Sequence, residues 1–587
     1  MAHHDLIVHP LVLRCVRVAA VTDLTPRMRR VTLTGEQLGA FTQDGIARPP
    51  FVSPGFDDHV KLIFAADGNI AAALPVQLAH GIEWGPSEAR QGRDYTPTRF
   101  DPVTRELDLD FVMHGDGPAA SWARDARPGS ELWFAGPKSS TIVPTDADWV
   151  LLAGDETALP AIARFLAERP VAAPARVVIT ITDAAAQQQL SIRDADRIEW
   201  VVADAADERA LAAAIDRVPP LPGTPYIWAA AESRALLPVR RIARALGAPK
   251  SHVNITGYWH HHQEEAASAG AATPALPEPP VLWFAVRAAL RLGVLDALAA
   301  GPLPLGALAE RVSAQSPTAL MPLLGCLTQA GVLREAGGGR YALDRLGEEL
   351  GEDEHAQEDY SGVEAAQVLA LAALPEAITE GGSAWQHTHG ASLLASAQAE
   401  PAYFEELIEQ AGSLPHVLTG LGKDPVWAGA ERITVTGPGA IQLAAVAEST
   451  AGRILTVYEA AGPLAALRVA AGERDWAFSA TQPQEQDLVV TALALGIRSD
   501  AEVVVLLRML RDVAPRALLV ERLTPDGLSE AAGATHALRD YAAVGVPARG
   551  PEQVLQLAET AGWRVGSRAK LGWGIERVEL SRTARHS

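Results

Sequence analysis

Cysteine is nearly missing: Cys15 and Cys326 are the only two among 587 residues. Two distant thiols argue against a disulfide framework and a cysteine-ligated metal site, and they suit a reducing cytoplasm. Positive charge is also in short supply, with 50 Lys and Arg against 71 Asp and Glu and a formal net charge of −21. Such a surface opposes general nucleic-acid binding and docking on an anionic membrane, although a local basic pocket remains compatible with it. No uninterrupted apolar run of 18 residues occurs, and MAHHDLIVHP lacks the basic, apolar, small-residue order of a signal peptide. The expectation is a cytoplasmic protein that engages neither nucleic acid nor membrane.

The length exceeds what one hydrophobic core supports and predicts three or four domains. HQEEAASAGAATPALPEPP at 262–280 is rich in Ala, Pro, Gly and acid without an apolar period, and reads as a linker. Before it, LVLRCVRV, MRRVTLTG, HVKLIFA, ELDLDFVMHG and SELWFAG are short β-like runs between turns, predicting an antiparallel β-barrel over 1–148. From 149 to 262, WVLLAGDETALPAIARFLAE, ARVVITITD, IEWVVAD and PYIWAAAESRALLPVRRIARALG alternate strand and helix, predicting an α/β nucleotide-binding domain with a parallel sheet. Residues 263–280 then lead into a second half. Over 281–355, VLWFAVRAALRLGVLDALAA, LGALAERV and ALMPLLGCLTQAGVL predict helices closed by the glycine-rich GGGRYALDRLGEEL, a winged-helix region. Over 356–587, ERITVTGPGAIQLAAVAEST, GRILTVYEAAGPLAALRVAAG, DLVVTALAL and RALLVERL alternate again, predicting a Rossmann-like sheet.

RDYTPTRF at 93–100 carries the first chemistry. In an extended strand Arg93 and Tyr95 share a face, Thr96 turns the other way, and Pro97, without an N–H for the ladder, ends the strand. That face offers a guanidinium to a pyrophosphate and a ring to a flat ligand, while the hydroxyl suits the ligand's edge. Taken alone, the same residues also describe an edge strand with an exposed arginine and a packed tyrosine. Three glycine-bearing loops follow. HGDGPAASW (114–122) sets two glycines before a small-residue helix start and offers Ser121 and backbone N–H groups to an anion. GPKSS (136–140) is a second such loop, and GDETALPAI (154–162) falls at the first strand-to-helix turn of the α/β region, where open sheets bind ligands.

In that order, LTPRMRRVTLTG, DDHVKLIF, RDYTPTRF, DFVMHGDGPAASWA, GDETALPAI, YIWAAAESRALLPVRR and GYW at 257–259 resemble the siderophore-interacting proteins. These are FAD-dependent ferric-siderophore reductases of ferredoxin-reductase-like fold, and the resemblance spans residues 1–262. It implies that Arg93 binds the FAD pyrophosphate, that Tyr95 stacks on the flavin, and that Thr96 hydrogen-bonds the ring near N5. It further implies that His114, Gly117, Ala120 and Ser121 line the flavin and phosphate site. Asp155, Glu156 and Thr157 would sit beside the cofactor where the two domains meet.

The implied reaction passes electrons from NADH or NADPH through FAD to the iron of an imported ferric siderophore. Fe(II), with its lower charge density, then leaves the hard oxygen ligands. An anionic siderophore needs a basic dock, and Lys61 in DDHVKLIF occupies such a family position; it also reads as a solvated strand lysine. Thr96 and Lys61 are thus the catalytic candidates. The family usually places arginine or lysine after GYW, whereas this chain reads GYWHHHQEE. His260 and His262 become substrate-contact candidates that gain charge only near about pH 6, and the run also reads as the start of the linker. Three consecutive histidines in an extended segment do not face one ion, so no metal site is expected. Glu232, Ser233, Arg234, Arg240 and Arg241 either contact the dinucleotide or coat a helix. Asp183 would accept a ribose hydroxyl and repel a 2′-phosphate, which favours NADH; a ferredoxin-type protein is the alternative donor.

Residues 281–587 resemble the winged-helix, dimeric, S-adenosylmethionine-dependent O-methyltransferases, through LLGCLTQAGVLREAGGGRYALDRLGEEL, VTGPGAIQ, TVYEA with Glu459, Asp487 and PRALLVERL. The resemblance implies a homodimer through the helices near 281–300. The departures are specific. Gly437 and Gly439 flank Pro438, Ile441 fills a glycine position, Thr434 or Val435 replaces an acid, and Gly496 in ALGIRSDAE stands where the family has its catalytic histidine. A branched residue in the loop crowds the cofactor, and the substrate hydroxyl lacks a base. An inactive methyltransferase-like domain is the expectation. The alternatives are a bifunctional reductase and siderophore O-methyltransferase, or a non-enzymatic flavin-containing siderophore sensor.

Overall fold

The computed structural model describes residues 4–113, 115, 117–259, 279–449, 453–524 and 530–582. His114, His260 and His262, and the linker up to residue 278, lie outside the described residues.

The first domain is built on β1 (Leu13–Thr25), β2 (Met28–Thr34), β3 (Val60–Ala65), β4 (Arg90–Tyr95), β5 (Pro97–Asp101), β6 (Glu106–Val112), helix α1 (Pro118–Asp125) and β7 (Glu131–Ala135). The strands pair antiparallel in the order β5-β6-β2-β1-β7-β3-β4. Period-two alternation turns Leu107, Leu109 and Phe111 of β6 inward against Val31 and Leu33 of β2. Asp108 and Asp110 point outward yet are buried, because Arg99 and Arg30 fold over them at 2.8 and 2.7 Å. The two edge strands, β4 and β5, follow one another in sequence and are separated by Thr96 alone. The expected barrel is therefore a curled sheet with an open seam. Pro97 does end β4, but it also opens β5, pairing with Leu109; proline's missing N–H suits the first residue of an edge strand.

The second domain contains β8 (Trp149–Gly154), α2 (Leu159–Glu168), β9 (Ala175–Ile181), β10 (Arg197–Val202), α3 (Ala210–Arg217), β11 (Pro225–Glu232), α4 (Leu236–Ala245) and β12 (Val253–Trp259). Its strands are parallel in the order β10-β9-β8-β11-β12. Every residue of β8 and β11 is buried, because α2 covers one face of the sheet and α3 with α4 the other. The strand order switches sides between β8 and β11, with β9 and β10 added on one side of β8 and β11 and β12 on the other, and this places a ligand crevice at their C-terminal ends.

In the second half, α5 (Val281–Leu292), α6 (Val294–Ala299), α7 (Leu305–Arg311) and α8 (Pro317–Gln329) precede the wing strands β13 (Leu333–Glu335) and β14 (Arg340–Leu343) and helix α9 (Arg345–Glu352). One stretch, Ala356–Glu380, is long and apolar enough to cross a membrane by composition. It folds as short helical pieces, with Val363, Ala365, Ala366 and Ala370 buried. The final sheet comprises β15 (Arg432–Thr436), β16 (Ile454–Tyr458), β17 (Ala477–Ser479), β18 (Leu488–Ala492), β19 (Arg516–Arg522), β20 (Trp563–Gly572) and β21 (Ile575–Arg582). Its order is β17-β16-β15-β18-β19-β21-β20, parallel except for the antiparallel final hairpin.

That hairpin docks on the first domain. Trp573 at its turn joins an apolar cluster with Leu11, Leu13, Ile63 and Ile82, and the Gly574 N–H donates to Glu83 at 3.2 Å. At Gly81 an added Cβ would sit 2.5 Å from the Leu571 carbonyl oxygen, so the backbone contact requires glycine there.

Candidate functional site

The seam of the first sheet gathers the RDYTP residues. Tyr95 packs on Phe111 with ring centroids 4.4 Å apart, Phe111 meets Trp122 of α1 at 5.7 Å, and Trp122 meets Phe64 at 6.3 Å. Burial pushes the Tyr95 phenol well above its ordinary range, so it stays neutral. Arg93 is exposed, and among the described residues its guanidinium hydrogen-bonds the neighbouring Gly92 carbonyl alone, at 2.7 Å. Thr96 is buried at 6% exposure, facing the hydroxyl of Tyr258 on β12. Lys61 is not a free cation: its ammonium holds the Asp94 carboxylate at 2.9 Å across β3 and β4.

Gly117 caps α1 and Pro118 opens it, a start that needs no N–H from its first residue, and among the described residues no side chain caps the turn. A Cβ at Gly117 would meet open space, while Ala119 and Ala120 are buried beneath the helix and Ser121 is half-buried. The uncapped N–H groups and the helix dipole suit an anion. A cavity of about 410 Å³ opens beside α1 between β3, β4 and β7, with Phe64, Gln91, Pro118, Trp122 and Trp133 in its wall. The stacked rings thus link the seam to the start of α1 beside this cavity, and the exposed Arg93 and the buried Thr96 hydroxyl lie on the seam itself. These residues fit a flavin with its diphosphate.

Asp155, Glu156 and Thr157 lie at the junction of the two domains, with their polar atoms turned toward protein partners. Asp155 Oδ1 accepts from the Thr157 N–H at 2.8 Å and the Thr157 hydroxyl at 2.5 Å. Its Oδ2 accepts from the Glu232 N–H at 3.0 Å and the Trp259 indole at 2.8 Å. Burial raises the Asp155 pKa against these bonds. Glu156 accepts from Arg27 at 2.9 Å and from the Thr182 N–H and hydroxyl, each at 2.8 Å, so it rivets the β1–β2 turn to the parallel sheet.

Several contributors escape a sequence reading. Arg164 donates to the Pro97 carbonyl at 3.0 Å and the Ser53 hydroxyl at 2.9 Å, holding the seam from α2. An arginine on the buried side of an apolar helix was the available signal. Asp57 accepts from Trp228 at 3.2 Å and Asn254 at 3.0 Å while its other oxygen has no partner among the described residues, and burial pushes its pKa up to about 6. Trp259 lacked any local signal beyond the GYW run. Asp183 caps a short turn through the Ala185 N–H at 2.8 Å. Among the described residues no group of three or more His, Cys, Asp or Glu is placed to hold a metal.

The residues of the final sheet do not fit S-adenosylmethionine. Glu459, the acid at the end of β16, is buried at 4% exposure and accepts from the Thr436 hydroxyl at 3.1 Å and the Ala460 N–H at 3.2 Å. Arg498, also buried, lies 3.8 Å from it and donates to the Ala494 carbonyl. A Cβ on Gly437 would meet the Ala492 carbonyl oxygen at 2.5 Å, and one on Gly439 would meet Leu414 at 2.5 Å. The loop glycines thus serve internal packing, and the acid has an internal cation in place of a ribose.

Residues 17–141 match the family model of the siderophore-interacting FAD-binding domain, 147–262 that of the siderophore-interacting protein, and 281–352 that of the O-methyltransferase dimerisation domain. The chain is 32% identical over 252 residues to the NADPH-dependent ferric-chelate reductase of Escherichia coli, an alignment covering 42% of this chain and 92% of that protein. It is likewise 32% identical over 241 residues to the ferric vibriobactin reductase ViuB of Vibrio cholerae, covering 40% and 84%. Among solved structures, a siderophore utilization protein from T. fusca is 33% identical with a TM-score of 0.39, covering 44% of this chain and 97% of that one. The O-methyltransferase NcsB1 from neocarzinostatin biosynthesis is 22% identical with a TM-score of 0.42, covering 53% and 100%. Through the half that carries the seam, the glycine-capped helix and the Asp155 junction, the chain belongs to the siderophore-interacting protein family.

Proposed function

We propose that the first 262 residues form an FAD-dependent ferric-siderophore reductase and that the second half is a dimerising domain without methyltransferase activity. The observation that carries the reading is the seam at Thr96, where Tyr95, Phe111 and Trp122 stack toward a cavity bordered by Gln91 of β4 and by Pro118 at the start of α1, with the exposed Arg93 on the same edge strand. Arg93 and the α1 N–H groups would hold the diphosphate, Tyr95 would support the ring, and Thr96 would donate to its edge. Bound FAD would supply the exchange between a two-electron donor and a one-electron acceptor. Asp155, Glu156 and Arg164 keep the two domains in register around that site. Lys61, shared with Asp94, contributes only part of a basic dock for the ferric siderophore.

For the donor we favour NADPH over NADH. Asp183 is engaged in its own turn, and the Escherichia coli relative is named for NADPH. The second half supports a homodimer, because Val281, Leu282, Phe284 and Leu292 of α5 and Met321 of α8 are exposed apolar residues on the segment that matches the dimerisation model. Light scattering of the full chain tests this.

The decisive experiment follows the visible flavin absorbance of FAD-loaded protein without oxygen. NADPH or NADH is added first, then a ferric siderophore with a ferrous chelator. Bleaching followed by recovery and a coloured ferrous complex establishes the reductase. Bleaching only by dithionite, with iron reduction preserved, moves the donor to a ferredoxin-type protein. Bound flavin without any iron reduction overturns the reading.

A further inference from the structure

The two halves meet a second time where α4 faces α9. Arg234, at the turn leading into α4, donates to Glu208 at 2.7 Å and to Glu349 of α9 at 2.5 Å. Arg241 reaches Glu352 at 3.0 Å and lies 3.9 Å from Glu348, and Arg244 also pairs with Glu352. Beside these pairs a cavity of about 480 Å³ opens between the halves, with Arg209, Arg234 and Arg241 on one wall and Arg334, Arg345 and Glu348 on the other.

Five arginines converge there against four lining acids, in a chain whose overall charge is −21. Among the described residues, the guanidinium groups of Arg209 and Arg334 have no side-chain hydrogen bond or ion pair. Each planar fork matches a phosphate as well as a carboxylate, and phosphate offers more acceptor oxygens and more charge. The pairs now filling the site are also easily exchanged, since the Arg241 and Arg244 side chains are 44% and 64% exposed.

We propose that this interdomain cavity binds a small phosphorylated ligand, in which the carboxylates of α9 hold the places that phosphate oxygens would take. Arg234 directly follows Glu232 and Ser233 at the C-terminal edge of the parallel sheet. A ligand that draws Arg234 from Glu349 therefore loosens α9 from α4 and links occupancy of the cavity to the way the two halves are joined. One wall of the cavity comes from residues 208–241 of the first half, and the other from residues 334–348 of the second.

The test is calorimetric titration of the FAD-loaded full chain at low salt with inorganic pyrophosphate, adenosine 2′,5′-bisphosphate and adenosine. Both phosphates bind and adenosine does not. Arg209→Ala with Arg334→Ala weakens them about tenfold or more, and Glu348→Gln tightens them severalfold by removing a competing anion. Arg209 and Arg334 are exposed, and Glu348 is half-buried with one long ion pair to Arg241, so the variants keep close to the wild-type melting profile. A bisphosphate that binds about tenfold more tightly than pyrophosphate identifies an adenine nucleotide as the ligand, and equal affinities identify a simple phosphate ester. No binding of either phosphate, or unchanged affinity in the double arginine variant, overturns the proposal. Neither readout involves electron transfer, so the outcome is separate from that of the reductase assay.

Discussion

The indole N–H of Trp259 donates to Oδ2 of Asp155 at 2.8 Å, joining residues 104 positions apart. The same carboxylate receives the Glu232 N–H and both donors of Thr157, so one half-buried side chain ties together three strand ends of the parallel sheet. Asp155→Ala leaves these donors unsatisfied and costs about 2–4 kcal/mol. The Trp259 indole loses its fixed partner, and tryptophan emission shifts to the red in the folded variant. Unchanged emission and melting temperature would show that the hub is dispensable.

Glu156 and Arg27 test the seating of the first sheet on the second. Glu156→Ala strands the half-buried Arg27 and the Thr182 donors, at a cost of about 2–3 kcal/mol in urea unfolding. Because the pair crosses a domain boundary, the transition should also split into two steps when monitored by domain-specific probes.

Arg93→Ala removes an exposed side chain with one local contact, so stability changes by no more than about 0.5 kcal/mol. Loss of a charge-assisted bond to a diphosphate lowers FAD affinity about 10- to 100-fold. Equilibrium dialysis of apoprotein with FAD measures this directly, and retention of full affinity would remove Arg93 from the site.

Arg498 and Glu459 predict a flat titration with S-adenosylmethionine, because the acid at the end of β16 already faces a buried cation. Arg498→Ala leaves Glu459 without that cation and costs about 2–3 kcal/mol. Saturable heat from wild-type protein would reopen the methyltransferase reading.

His416 packs on Trp573 where the second half meets the first, and burial, with Lys138 nearby, lowers its pKa to about 4. The folded value lies below the ordinary imidazole value near about 6.5, so the unfolded state binds the proton more readily. Stability from this site is full above about pH 6.5 and falls as pH drops toward about 4. His416→Phe keeps the ring packing and should flatten that part of the melting profile between pH 7 and pH 5 relative to wild type.

Much of the architecture was legible in the chain. Period-two runs such as ELDLDFV announce a half-covered sheet, and uninterrupted runs such as YIWAAAE announce strands buried on both faces, since both patterns follow from local backbone geometry. The order RDYTP, HGDGP, GDETALP could be read because each loop's chemistry is local. The departures from a methyltransferase loop were legible too, down to Ile441 and Gly496.

Partnerships were not legible. Nothing near Lys61 in sequence says that Asp94 holds it, nothing near Arg498 points to Glu459, and Glu349 lies 115 positions from Arg234. The open seam at Thr96 likewise depends on how far seven strands curl before their edges meet. By itself the sequence determined which elements form and which residues carry chemistry, because propensity, periodicity and turn preference act over a few residues. Tertiary structure alone decided which of those charges stay available to a ligand, because an ion pair forms only where packing brings two distant surfaces within a few ångströms.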